Sequence, residues 1–118
     1  MQPIFDSEGA TVAWLNGDVI HELDGRAAAF VRNRAVYNYA GGQRGWFDSG
    51  FLRDRDGDAV AFMDGCRGGP LPPSHEVPPI PPITAIPPIP PIPAIPSIPP
   101  LPTLSWSELS WEQFLGTE

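Results

Sequence analysis

An all-β fold is what the sequence predicts: a pseudo-four-fold ring or shallow barrel of four β-hairpins, eight short antiparallel strands in all, then a polyproline II tail and a short C-terminal helix. Three observations carry this. Glycine recurs every sixteen residues, at Gly9, Gly25, Gly41 and Gly57. An aromatic stands five residues after each glycine, at Trp14, Phe30, Trp46 and Phe62, and an aliphatic opens each unit, at Ile4, Ile20, Val36 and Leu52. Of the 17 prolines, all but Pro3 lie between Pro70 and Pro102, so the repeat region and the tail are compositionally distinct.

Each unit has room for one hairpin. The pairs Glu8-Gly9, Asp24-Gly25, Ala40-Gly41 and Asp56-Gly57 suit a two-residue turn, because glycine takes a positive φ without steric cost. Strands over 3–7 and 10–16 then pair in the first unit. Asn16-Gly17, Arg32-Asn33, Asp48-Ser49 with Gly50, and Asp64-Gly65 supply the second reversal. The repeats are thus 3–17, 19–33, 35–49 and 51–65 within a hairpin domain of residues 1–69. Helix is disfavoured by the regular glycines and the many Val, Ile, Phe, Tyr and Trp residues.

Four hairpins closing on themselves leave no strand edge, and eight strands is about the size at which side chains still fill a barrel interior. The expected core is two layers, the aromatics Trp14, Phe30, Trp46 and Phe62 and the aliphatics Ile4, Ile20, Val36 and Leu52. Strand alternation puts Val12 and Trp14 on one face and Ala13 and Leu15 on the other, so both faces are apolar. The second face is expected to meet a partner surface. Small residues at Ala13, Ala29, Gly45 and Ala61 would let another element approach the backbone closely.

With its four-fold glycine and aromatic spacing, proline-rich tail and tryptophan-containing end, the chain resembles the small bacterial four-fold beta flower family. The resemblance implies a shallow, pseudo-symmetric ring of hairpins around a largely apolar centre, and it brings no assigned activity. Arg44 departs from the pattern, standing where the other units have Val12, Ala28 and Val60. If that column faces the centre, its charge either snorkels or marks a contact.

Residues 70–104 form the second segment, where aliphatics recur every third position: Ile80, Ile83, Ile86, Ile89, Ile92, Ile95, Ile98 and Leu101. Polyproline II has three residues per turn, so the spacing stacks them on one face of a rod. Straight, residues 77–104 would span roughly 85 Å. A bend is allowed at Thr84-Ala85. An exposed row of this length is an association surface that something must cover. Residues 105–118 are the third segment, a docking motif in which Ser110 stands three before Gln113 as in a capping box. Trp106, Trp111 and Phe114 are its association residues.

Charge and reactive residues narrow the function. The repeat region holds ten acids and seven arginines, the remainder four glutamates, and lysine is absent. No clustered basic face exists for phosphate, so nucleic acid is not an expected partner. There is no run of eighteen apolar residues, hence no expected membrane span, and no signal-peptide pattern, so a bacterial cytoplasmic location is expected. Asp54, Asp56 and Asp58 flank Gly57 at short spacing, but the order is wrong for a calcium loop and no metal or cofactor is expected. His21 reads as a surface position among Phe5, Tyr37 and Arg53. Cys66 and His75 lack an orienting third group, and Ser7, Ser49 and Ser74 lack a base. The chain is therefore expected to be a non-enzymatic, self-associating scaffold, homo-oligomeric through its tail. The alternative is a binding module, either with the tail as ligand of a partner protein or with the ring centre holding a lipid or other hydrophobic small molecule.

Overall fold

A computed structural model describes residues 1–116; the last two residues of the docking segment lie outside it. Eight strands occur in chain order: β1 Gln2–Asp6, β2 Thr11–Asn16, β3 Val19–Glu22, β4 Ala27–Arg32, β5 Ala35–Asn38, β6 Gln43–Asp48, β7 Phe51–Arg53 and β8 Ala59–Phe62. Each pairs antiparallel with the next, and β8 returns to β1 to close the barrel. Among the described residues there is one helix, α1, spanning Trp111–Leu115.

The sixteen-residue period shows directly in the register. Ile4 pairs with Ala13, Ile20 with Ala29, Val36 with Gly45 and Leu52 with Ala61. One residue later the register shifts in all four hairpins, which adds the local twist that short strands need to close a small ring. The hairpin tips are longer than the expected two-residue turns. In the first, Asp6 N–H donates to the Ala10 carbonyl at 2.9 Å, and Asp6 Oδ1 accepts from the Glu8 and Ala10 amides, both at 3.0 Å. Asn38 and Asp54 repeat this turn. Two-residue reversals occur instead between hairpins, where Asn33 and Arg34 take φ of 51° and 67°.

The two faces of the strands are divided differently from the expected core. Ile4, Ile20, Val36 and Leu52 share one buried cluster with Ala13, Ala29 and Ala61 and with Trp111, Phe114 and Leu115 of α1. The aromatic column stands elsewhere: Phe62 packs with Phe5 and Phe51, and Phe30 and Trp46 with Tyr37. Trp14 is buried next to Ala13, and neighbours along a strand point to opposite faces. A ring whose central residues pair aliphatic with small has room for a helix, and large aromatics turned inward would fill that space. The Ala13 and Leu15 face is thus the inside of the ring, and the surface it meets is α1 of the same chain.

Helix α1 is set for this place by its ends. Ser110 Oγ accepts from Gln113 N–H at 3.2 Å, Gln113 Oε1 accepts from Ser110 N–H at 2.9 Å, and Gly116 closes the helix at φ 77°. A Cβ at Gly45 would fall on the Arg53 carbonyl oxygen and lie 2.6 Å from Phe114 Cε1, so the one glycine in the small-residue column admits both the neighbouring strand's backbone and the Phe114 ring. Arg44 marks a contact: its Nε donates to the Phe114 carbonyl at 2.8 Å and its Nη2 to that of Gln113 at 3.1 Å. A cation on the last carbonyls of a helix is favourable, which explains why one unit carries arginine here.

Candidate functional site

Outside the ring, the tail forms a belt with no strand or helix of its own. Four backbone hydrogen bonds hold it to the hairpin tips. Glu76 N–H donates to the Gly9 carbonyl at 2.9 Å, Ala85 to Gly25 at 2.9 Å, Ala94 to Gly41 at 3.2 Å and Thr103 to Gly57 at 3.2 Å. The ring advances sixteen residues per seat and the belt nine. Nine residues are three turns of polyproline II, so every seat meets the same side of the rod. Proline has no N–H, and Glu76, Ala85, Ala94 and Thr103 are all non-proline.

Glycine at the tip completes each seat. Gly25 has φ 93°, and a Cβ built on it would fall on the Ile83 carbonyl oxygen; the Ser74 carbonyl at Gly9 and the Leu101 carbonyl at Gly57 are placed alike. The contact at Gly41 is looser, with the Ile92 oxygen 3.6 Å from such an atom. Both the turn and the belt therefore demand the same glycine.

Below the seats lies one column of the ring, Phe5, His21, Tyr37 and Arg53, every member buried. Phe5 stacks on His75 with centroids 3.8 Å apart. Tyr37 Oη donates to the Ala94 carbonyl at 3.0 Å. Arg53 Nη1 donates to the carbonyls of Gly57 at 2.5 Å and Thr103 at 3.0 Å, while Nη2 reaches Gly68 at 3.0 Å. His21, expected at the surface, sits beneath the second seat with Nδ1 3.0 Å from the Gly25 carbonyl. Burial of such different side chains has one cause, the belt above them.

The belt is not a straight rod. From Glu76 to Thr103 the arc is about 84 Å, and three quarters of a circle with that arc has a diameter of about 36 Å. The molecule measures 36 × 35 × 24 Å. A length excessive for a straight rod beside this ring is the length needed to pass from the first hairpin to the fourth.

With its inner side on the ring, the belt turns the aliphatic row outward: Ile80, Ile83, Ile86, Ile89, Ile92, Ile95, Ile98 and Leu101 are 86–96% exposed. The other association residues face inward. Trp106 packs edge-on to Phe51 and Phe62, at 6.2 and 6.0 Å, and Trp111 and Phe114 belong to the central cluster.

The reactive groups have structural work. Asp54 Oδ1 accepts from the Asp56 and Asp58 amides at 2.9 and 3.0 Å, its Oδ2 accepts from Ser107 Oγ at 2.5 Å, and Asp58 accepts from Thr103 Oγ at 2.6 Å. These carboxylates tie the fourth tip to the tail. Burial raises the pKa of the Cys66 thiol, opposite to what a nucleophile needs. His75 Nε2 is 2.7 Å from Asp64 Oδ1. A cleft of about 620 Å³ opens where the chain leaves the rim, lined by Arg44, Asp54, Arg55, Trp106 and Glu108 among others. Both arginines are already engaged: Arg44 on α1 and Arg55 Nη2 on the Gln43 carbonyl at 2.6 Å.

Sequence reasoning finds the outward row but misses the seats. Their signal is the nine-residue recurrence of a non-proline residue within the tail. Among the described residues, no helix is long and apolar enough to cross a membrane. The family model of the 4-fold beta flower proteins matches residues 2–115, and the chain belongs to that family. No curated protein and no solved structure matches it.

Proposed function

We propose that this beta flower is a non-enzymatic, self-associating scaffold whose contact surface is the aliphatic row on the outside of the belt. The observation that carries the reading is that row: eight consecutive aliphatics at a three-residue step, each at least 86% exposed and held outward by a belt seated on every hairpin. Monomers seldom expose so continuous an apolar surface. Covering one such side chain contributes about 1.5–3 kcal/mol, while association costs about 4–15 kcal/mol, so several must be covered together. The positions of Cys66, His75 and Asp54 support a non-catalytic role, since each is committed to packing or hydrogen bonds. Seating of α1 at the ring centre counts against a small-molecule ligand there.

Light scattering on the full chain tests this. Mass is expected to exceed one chain and to rise with concentration, and replacing the outward aliphatics by serine is expected to return it to one chain. A wild-type chain that stays monomeric across the accessible concentration range overturns the proposal.

A further inference from the structure

We infer that the rim carries three equivalent contact edges and that each is occupied by the rim of a second copy. This rests on the self-association reading and specifies its partner and valence. The tail divides at the seats into VPPIPPITA (77–85), IPPIPPIPA (86–94) and IPSIPPLPT (95–103). Every nine-residue piece passes from one hairpin tip to the next and sets three aliphatics outward: Val77, Ile80 and Ile83; Ile86, Ile89 and Ile92; Ile95, Ile98 and Leu101. The fourth interval, from the last hairpin to the first, is closed by Trp106 and His75 over Phe62 and has no such piece. Three sides of a pseudo-square are alike, and one is different.

The chemistry of an edge says what fits it. No ionisable residue lies between Val77 and Leu104, so the edge offers nothing to phosphate, an anionic headgroup or a charged peptide. What it offers is a step: aliphatics about 9.3 Å apart along polyproline II. A partner must present apolar groups at the same spacing to fill the gaps, and the same edge on another copy does so by identity. Two antiparallel edges interdigitate without charge matching.

Size fixes the valence. One edge is about 28 Å long and about 10 Å wide, roughly two strand spacings, which is about 280 Å² per partner. Stable complexes bury about 800 Å² per partner. A single pair of edges falls short, whereas three edges on three neighbours reach that area together. Assembly is therefore open-ended and built from weak contacts, in place of a closed dimer. With contacts a quarter-turn apart, growth is planar, and the fourth side stays free.

Edge deletions test this in the full chain, because the substituted side chains point away from the ring; tryptophan fluorescence confirms that each variant is folded. Scattering mass of the wild type is expected to climb without a plateau at two chains. Ile86→Ser with Ile89→Ser and Ile92→Ser leaves two opposite edges and is expected to give linear particles by electron microscopy. Serine at the aliphatics of any two edges should leave particles of no more than two chains. A wild-type dimer of fixed mass, or a two-edge variant as large as wild type, overturns the three-edge inference while leaving self-association standing. A monomer at every concentration removes both. A chain that stays monomeric in buffer yet sediments with phosphatidylcholine vesicles overturns the second copy as occupant.

Discussion

Every strand of the ring pairs with two neighbours and β8 closes onto β1, whereas the belt has no strand or helix and is held by one backbone hydrogen bond every nine residues. Polyproline II makes no internal hydrogen bonds, so the belt has no local cooperativity. What it has is stiffness, which lowers the entropy to be lost on seating. The ring contributes the order and the belt contributes cover for the outward aromatics. Each is incomplete alone: without the belt, Phe5, Tyr37 and Phe30 would face water, and without the ring an apolar rod would have both sides exposed.

Two glycines separate these contributions. Gly17 and Gly25 both hold positive φ, 63° and 93°, but nothing lies within 4 Å of a Cβ at Gly17 while the Ile83 carbonyl occupies that place at Gly25. Gly17→Ala is expected to lower stability by about 1 kcal/mol, the left-handed conformational cost alone. Gly25→Ala adds a backbone clash and is expected to lower it by about 3 kcal/mol. Urea denaturation of the two variants measures the difference. Equal losses would mean that the belt is not seated on the tip in solution.

A narrower probe removes only the belt's donor. Ala85→Pro keeps the rod conformation and deletes the N–H that bonds to the Gly25 carbonyl. The expected loss is about 1 kcal/mol, one net hydrogen bond. Amide exchange at Ala94 and Thr103 is expected to stay slow if the seats act independently, and to quicken along with the loss if the belt lifts as a unit.

The ring is legible in the sequence and the seating of the belt is not, because the two periods encode different things. A glycine, an aliphatic and an aromatic at fixed offsets each keep a single job in all four hairpins, so their period survives in the sequence. Which face is inside is not legible, because Ala13 and Trp14 are both apolar and only the presence of α1 makes the small residue the inner one. In the tail the three-residue step of isoleucine masks the nine-residue step of the seats, which shows only as Ala85, Ala94 and Thr103 standing where prolines otherwise could. His21 is misread from sequence for a related reason: its column mates Phe5, Tyr37 and Arg53 share no chemistry, and what they share is the belt above. Arg44 is legible as an exception, and its partner, the C-terminal end of α1, requires the fold.

The first seat differs from the other three in that its belt residues, His75 and Glu76, are ionisable, and this gives the smallest effect. His75 Nδ1 lies 2.8 Å from the Glu76 carbonyl and Nε2 2.7 Å from Asp64 Oδ1, so both ring nitrogens face acceptors and the imidazolium satisfies both. The bond to the Glu76 carbonyl, with a further contribution from Asp64, raises the His75 pKa above its ordinary value. A raised folded-state pKa means stability that is complete below the unfolded value, about 6.5, and lost as pH rises through the folded one. The melting temperature is therefore expected to fall slightly as pH passes upward through and beyond that value, and His75→Gln to flatten the slope. Glu76 acts in a separate window: the Thr11 amide bonded to its Oε1 at 2.8 Å holds its carboxyl below the usual range, so its contribution is lost only as pH falls through that lowered value. Because Ala85, Ala94 and Thr103 carry no ionisable side chain, the change that His75→Gln removes should centre on the groups His75 touches, Phe5, Phe62 and Asp64. Chemical-shift titration that spreads evenly to the tips at Gly25, Gly41 and Gly57 would show instead that the four seats open together.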